Sequence, residues 1–506
     1  MNDNVNAIDL QLEDVEDYSA DYPPSDGGYP NVASNMAPAG NSEDSMDKSP
    51  KYRRAAVISL IRNNKWAVAV FVVVLVVLIS IIAATTGGKT YGNEELRSSS
   101  GTSNYYTDDD EVGVPPVEMH AESVDQDVLS TFRSSLKNTY DRHNLDKNLL
   151  DEMTPQRQAM IWMCKDPNVN SLEHTEKLQR YVLAALFYST NMVPSVHVED
   201  PKPWKVADNW MTNAHSCDWM GVECNEEKVI VAISLEKNRL SGKLPVDISI
   251  IANNIESLDF TENIMHMRDG DFDSFLYLKN LHTLLMDDNF LFHDKGLPPQ
   301  FAALTNLRKL RLSYNVFEGQ LESGAPVLGA MKKLTHLEME SNYFNGTMPS
   351  AIGNMEQLTY LYMRRNNMEF NLNFMKTGQF SNMFAMWLDG NDITGTIPTQ
   401  LGLMTGLASF SVANATLTGT IPTQIGNLNQ LRRLWLFNNK LSGNIPQSLN
   451  NLDLLEVVEL HGNKLSGNMP QGVCSSVGKS DYEYKSLTSD CNGQVTCSKS
   501  CCTQCY

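Results

Sequence analysis

Large aromatic and charged side chains return at a fixed interval through the second half of this 506-residue chain. Arg311 and Tyr314 are followed by His336, then by Tyr360, Tyr362 and Arg364. Trp387 and Asp389 come next, and then Arg433, Trp435 and Phe437. Each set lies between apolar residues spaced two apart, as in Leu434-x-Leu436. That is the period of a short strand with one buried face, so the intervening side chains point away from the core. Exposed Trp, Tyr and Arg side by side are what binding interfaces use, and such rings also stack on sugars. The chemistry suggested is recognition of a protein, peptide or glycan. Catalysis finds no support. No GxSxG, HExxH or P-loop motif occurs, and His336 and His461 lie several repeats apart, too distant to share a metal. No enzyme, cofactor or metal site is expected.

The elements that position these side chains repeat. In the pattern LxLxxNxL the asparagine slots fall at 238, 263, 289, 315, 342, 366, 391, 415, 439 and 463. A fixed period of this length means a solenoid, whose units are stabilised by stacking on neighbours. The asparagine amide can both donate and accept, so stacked units would place the amides in a ladder. Slot 415 holds Ala, so one rung should be missing or be supplied by Asn414. The second half of the unit reads Leu441-Ser-Gly-Asn-Ile-Pro446, Leu465-Ser-Gly-Asn-Met-Pro470, Ile393-Thr-Gly-Thr-Ile-Pro398 and Leu417-Thr-Gly-Thr-Ile-Pro422. Its glycine permits a tight backbone and its proline stops an ordinary strand.

On these marks the chain resembles plant-type leucine-rich-repeat proteins over about half its length. The resemblance implies an α/β solenoid, a horseshoe of about ten repeats over 229–472. It also implies that the strand residues named above line a concave binding face. Cys217-Asp-Trp-Met-Gly-Val-Glu-Cys224, after Trp210, resembles the family's N-terminal cap motif. A lid is physically needed, because the first repeat exposes an apolar end. Residues 121–228 are therefore read as a helical cap, with Thr154 as N-cap and Pro155 at the first position of one helix.

Nine cysteines point to an oxidising compartment. Cys217 and Cys224 are placed to clip the N-terminal cap. Cys474, Cys491, Cys497, Cys501, Cys502 and Cys505 would close a small C-terminal cap over 473–506. Six cysteines allow 15 pairings, and the sequence does not choose among them. A zinc knuckle is the rival, though no histidine accompanies them. Cys164 is odd, either buried and free or joined to another chain. The sequons at Asn345 and Asn414 fit a glycosylated lumenal ectodomain.

The first 120 residues have another character. Residues 1–47 hold eleven acidic side chains and no Lys or Arg, a composition that does not order itself. Lys48 to Lys65 then holds six basic residues and no acid. An apolar run over 66–86 follows, long enough to span a bilayer as a retained signal anchor. Positive charge upstream places the N-terminus (1–65) in the cytosol and the repeats outside or in the secretory lumen, a type II topology. About 65 cytosolic residues are too few for a kinase fold, unlike the plant receptor kinases, so a signal would pass through a co-receptor. Residues 87–120 read as a flexible stalk. The net charge of −20 argues against nucleic acid as partner.

The reading is a single-pass membrane recognition protein of the secretory pathway or cell surface. It resembles membrane-anchored non-kinase repeat proteins such as those of diatoms and related algae. An adhesion or structural protein, or an inhibitor of secreted hydrolases, are the alternatives.

Overall fold

The computed structural model describes residues 125–506, apart from 144, 147–149, 151–153, 192–203, 378–379, 480–484, 492–494 and 498–500. The tail, the span over 66–86 and the stalk up to 120 lie outside the described residues. Among the described residues no helix is long and apolar enough to cross a membrane.

Thirteen strands form one sheet: β1 (Val222–Cys224), β2 (Ile230–Ser234), β3 (Ser257–Asp259), β4 (Thr283–Leu285), β5 (Lys309–Arg311), β6 (His336–Glu338), β7 (Tyr360–Tyr362), β8 (Ala385–Trp387), β9 (Ser409–Ser411), β10 (Arg433–Trp435), β11 (Val457–Glu459), β12 (Ser486–Ser489) and β13 (Gln504–Cys505). They neighbour one another in chain order. Only β1 and β2 pair antiparallel; the remaining pairs are parallel. The register aligns one apolar column, running through Leu258, Leu284, Leu310, Leu337 and Leu361. Every member of it is buried. A solenoid of parallel strands is thus what the two-residue period builds when each unit must borrow its neighbour's apolar face.

The second half of each unit returns as a short 3-10 helix, as at Ser350–Asn354, Thr399–Leu403, Thr423–Asn427 and Gln447–Asn451. Pro349, Pro398, Pro422 and Pro446 stand immediately before these helices, where a proline ring suits the extended φ. Gly443 shows why the unit carries glycine. Its φ is +80°, and a Cβ there would meet Thr420 Cγ2 of the preceding unit at 2.9 Å.

The asparagine ladder is present. Asn439 Nδ2 donates to Val412 O, Leu436 O and Phe437 O at 2.9, 3.2 and 3.3 Å, while Leu417 N donates to its Oδ1 at 3.0 Å. At Ala415 the rung is missing, and Asn414 does not supply it. Ile393 N instead donates to Asn391 O at 3.0 Å. The Asn414 carboxamide is used sideways, accepting from Asn438 Nδ2 at 2.9 Å.

Helices α1 (Gln126–His143), α2 (Pro155–Lys165) and α3 (His174–Thr190) precede the sheet. Thr154 Oγ1 accepts from Arg157 N at 3.2 Å, and Pro155 opens α2. These helices meet the first repeat around one buried carboxylate. Asp247 accepts from Tyr181 Oη at 3.0 Å, from Gln156 Nε2 at 2.7 Å, and from Tyr140 Oη. Trp204, Trp210 and Trp219 pack in series, with ring centroids 4.7 and 5.1 Å apart. Cys217 is bonded to Cys224. Gly221 between them has φ +76°, and a Cβ would strike Ser234 O at 2.0 Å.

At the far end the disulfides are Cys474–Cys501, Cys491–Cys505 and Cys497–Cys502. They hold β12 and β13 against the last repeat. The sulfurs of Cys491, Cys497 and Cys502 lie within 4.8 Å of one another, yet all three are engaged in disulfides. Cys164 is buried and free, its thiol pushed up to about 12 by burial. A thiol so held is inert toward cross-linking.

Candidate ligand-binding face

The sheet face turned from the core carries one residue per strand in each of three columns. The register places Tyr360 opposite His336 and Tyr362 opposite Trp387. Parallel strands lie about 4.8 Å apart, a spacing that lets rings in register stack. They do: His336 and Tyr360 lie 4.3 Å apart, inclined by 21°, and Tyr362 and Trp387 lie 4.4 Å apart, inclined by 20°. Trp387 and Trp435 are in register with Ser411 between them, and meet edge to face at 6.1 Å. Trp387 Nε1 donates to Ser409 Oγ at 2.7 Å. Further along, His461 lies between Phe437 at 4.9 Å and Tyr506 at 4.1 Å.

This packing corrects one expectation. Tyr360, Tyr362, Arg364, Trp387, Asp389, Arg433, Trp435 and Phe437 do project from the outward face, but none is more than 6% exposed. Alternation fixes the direction of a side chain and says nothing of what its in-register neighbours cover. Arg311, Tyr314 and His336 are half-buried, and so are Lys309, Arg365 and Glu459. The sequence reading also passed over Ser409, Ser411 and Ala413. Their small side chains make room for the two flanking indoles, and the available signal was a small-residue strand between two Trp strands.

Charge runs along the same face. Arg311 Nε lies 2.7 Å from Asp287 Oδ2 and 3.4 Å from Glu338 Oε2. Ser313 N donates to Asp287 Oδ1 at 2.7 Å. Burial pushes the Asp287 carboxyl up to about 7; Arg311 opposes the shift and Glu338 adds to it. Asp287 was not singled out from sequence. Arg364 is bonded to Glu340, with Nη2 to Oε1 at 3.1 Å, and its guanidinium stands 4.8 Å over the Trp387 ring. Burial also raises the Asp389 carboxyl, against Arg364 and a hydrogen bond from Ser411, and among the described residues Asp389 Oδ1 has no hydrogen-bond partner.

The two sequons differ. Asn345 is exposed on the strand Tyr343–Gly346. Asn414 is half-buried at φ +51°, with its amide oxygen engaged by Asn438.

Comparison with known proteins agrees with this architecture. The Leucine Rich Repeat family model matches residues 333–355 and 430–452. Pollen receptor-like kinase 2 of Arabidopsis thaliana is 26% identical over 182 residues, 36% of this chain and 25% of the relative. Receptor-like protein 33 of the same plant is 29% identical over 194 residues, 35% of this chain and 21% of the relative. The chain thus spans about a quarter of the length of such relatives. Among solved structures, the plant peptide hormone receptor RGFR1 in complex with RGF2 is 28% identical with a TM-score of 0.45, over 53% of this chain and 40% of that one. By its repeats and these relatives, the chain is similar to leucine-rich-repeat proteins of the plant type.

Proposed function

We propose that this protein is a receptor-like recognition module whose ligand, most simply a peptide, lies along the outward sheet face. The observation that carries the reading is the in-register layer of rings and paired charges from β5 to β11, with the small residues of β9 making room for Trp387 and Trp435. A spacer needs only short polar side chains there. The packed members form a rigid floor, and contact falls to half-buried Arg311, Tyr314 and His336. A rigid floor suits affinity, because little side-chain freedom remains to be lost on binding.

The wider proposal is a single-pass, type II protein of the plasma membrane or another secretory-pathway membrane. The repeats would be lumenal or extracellular, Asn345 glycosylated, and signalling left to a co-receptor. The basic cluster before 66–86 supports it. The relatives named as receptor-like proteins support the recognition role. Tags at both ends, stained in intact and permeabilised cells, test the topology: only the C-terminal tag should be reached in intact cells. A panel of secreted peptides passed over the full chain tests recognition. The retained peptide should be lost on Arg311→Ala, Tyr314→Ala and His336→Ala with the fold intact. Retention unchanged by all three would refute the site. Inhibition of a secreted hydrolase, with no peptide retained, would favour the inhibitor reading.

A further inference from the structure

A second surface, meeting the sheet face at Lys309, lies along the edge where the strands begin. Three consecutive repeats place Lys279 and His282, then Arg308 and Lys309, then Lys332 and Lys333 there. The backbone sets them side by side. Arg308 N and Lys309 N both donate to His282 O, at 2.8 and 3.0 Å, and Thr335 N donates to Arg308 O at 2.8 Å. Asn306 ties the outer row together: its Nδ2 donates to Lys279 O at 2.8 Å, and its Oδ1 accepts from Lys333 Nζ at 2.7 Å. Lys279, Arg308, Lys332 and Lys333 are exposed, and Lys309 and His282 are half-buried.

Among the described residues none of these five Lys and Arg side chains has an ion-pair partner. At one end of the row Glu256 lies 3.7 Å from His282. Glu256 belongs to the preceding repeat, and Glu356 in the following repeat ends the row on the other side. In a chain of net charge −20, five uncompensated cations on three adjacent repeats are a local reversal of sign. Like charges held together repel at a cost, which a polyanion would relieve.

We propose that this edge docks an acidic polysaccharide, carboxylated or sulfated. The inference does not rest on the peptide reading of the sheet face. Four of the five cations are lysines, hydrated point charges on rotatable stems, which suit anions spread along a chain better than one bidentate carboxylate. The cations recur from repeat to repeat at about 4.8 Å, so the ligand is extended rather than pocketed. Between them lie Asn280, Thr305 and Thr335, amides and hydroxyls suited to sugar hydroxyls. Among the described residues the patch has no exposed aromatic, the kind of side chain on which a protein interface would centre.

The test uses the purified full chain with its disulfides intact, passed over immobilised alginate, dextran sulfate, neutral dextran and polyglutamate. Retention is expected on alginate, dextran sulfate or both, and not on neutral dextran. It should weaken as salt rises through 0.15 M, where the screening length falls to about 8 Å. Reversing Arg308, Lys309, Lys332 and Lys333 together to Glu should cut retention by about tenfold or more. Reversing Lys440 and Lys464, exposed lysines elsewhere, should leave it unchanged. If the reversed variant fails to fold, the same four residues changed to Gln decide the matter. No retention on either acidic polysaccharide, equal retention on polyglutamate, or retention unaffected by the four changes would overturn the proposal.

Discussion

The Asn439→Ala variant tests how much of the fold rests on the amide ladder. Asn439 donates three hydrogen bonds to backbone carbonyls and accepts one from Leu417 N. Alanine would leave the Leu417 N–H and the Val412 carbonyl without this partner in a buried place. Each orphaned group costs about 1–3 kcal/mol, so the variant should lose about 2–6 kcal/mol. The reverse change is available in the same molecule. At slot 415 the chain already lives without a rung, because Ile393 N has turned to Asn391 O. An asparagine there would recover about 0.5–1.5 kcal/mol, the net worth of a hydrogen bond whose groups were not orphaned. Urea unfolding of the disulfide-intact chain, followed by tryptophan fluorescence, measures both. Hydrogen exchange at the Leu417 amide localises the first. An Asn439→Ala variant within experimental error of the parent, or an Ala415→Asn variant as destabilised as Asn439→Ala, would refute the reasoning.

Three further outcomes follow from the same geometry. Asp287 has a folded pKa of about 7 against about 3.9 when unfolded. The folded state therefore binds the extra proton, and stability should fall as pH rises from about 4 to about 7; unfolding at pH 5 and pH 8 should show that fall shrinking in Asp287→Asn. Trp387→Ala removes a buried indole that touches Tyr362, Trp435 and Arg364, so it should cost about 3–5 kcal/mol by chemical denaturation. Ser341 sits at φ +53°, where a side chain is strained, so Ser341→Gly should stabilise the fold by about 1 kcal/mol, read as a raised unfolding midpoint.

The Trp387 prediction bears on how the alternatives can be separated. Alanine at Tyr362, Trp387 or Trp435 would distinguish a receptor from an adhesion protein only if those rings were exposed. Buried as they are, their loss should disturb the fold under either reading. The half-buried Arg311, Tyr314 and His336 are the substitutions that discriminate.

Much of the scaffold was legible because it is local or periodic. The Leu258–Leu361 column, the amide slots and the Thr154-Pro155 helix start each follow from spacings within a few residues. The gap at Ala415 was legible as well, but not its repair, which depends on what Ile393 N can reach one unit earlier. The site was harder to read. Alternation gave the outward direction of Tyr362 and Trp387, while their burial depends on a register between units about 25 residues apart. The same holds for Asp287, whose carboxyl is raised by burial, with Glu338 adding to the shift and Arg311 opposing it from two further strands. Cysteine pairing and the Tyr140–Tyr181–Gln156 cradle around Asp247 arise from contacts far apart in the chain, for which no local signal exists.

The central claim is that a ligand is read on the outward face of the sheet at the half-buried residues of β5 and β6. Hydrogen exchange of the full chain, with and without a peptide retained from the secreted panel, addresses it directly. Slowed exchange over 309–314 and 336–341 is the predicted result. Slowing confined to the exposed strands at 392–394 and 442–444, or to the helices before the sheet, would place recognition elsewhere and contradict the account.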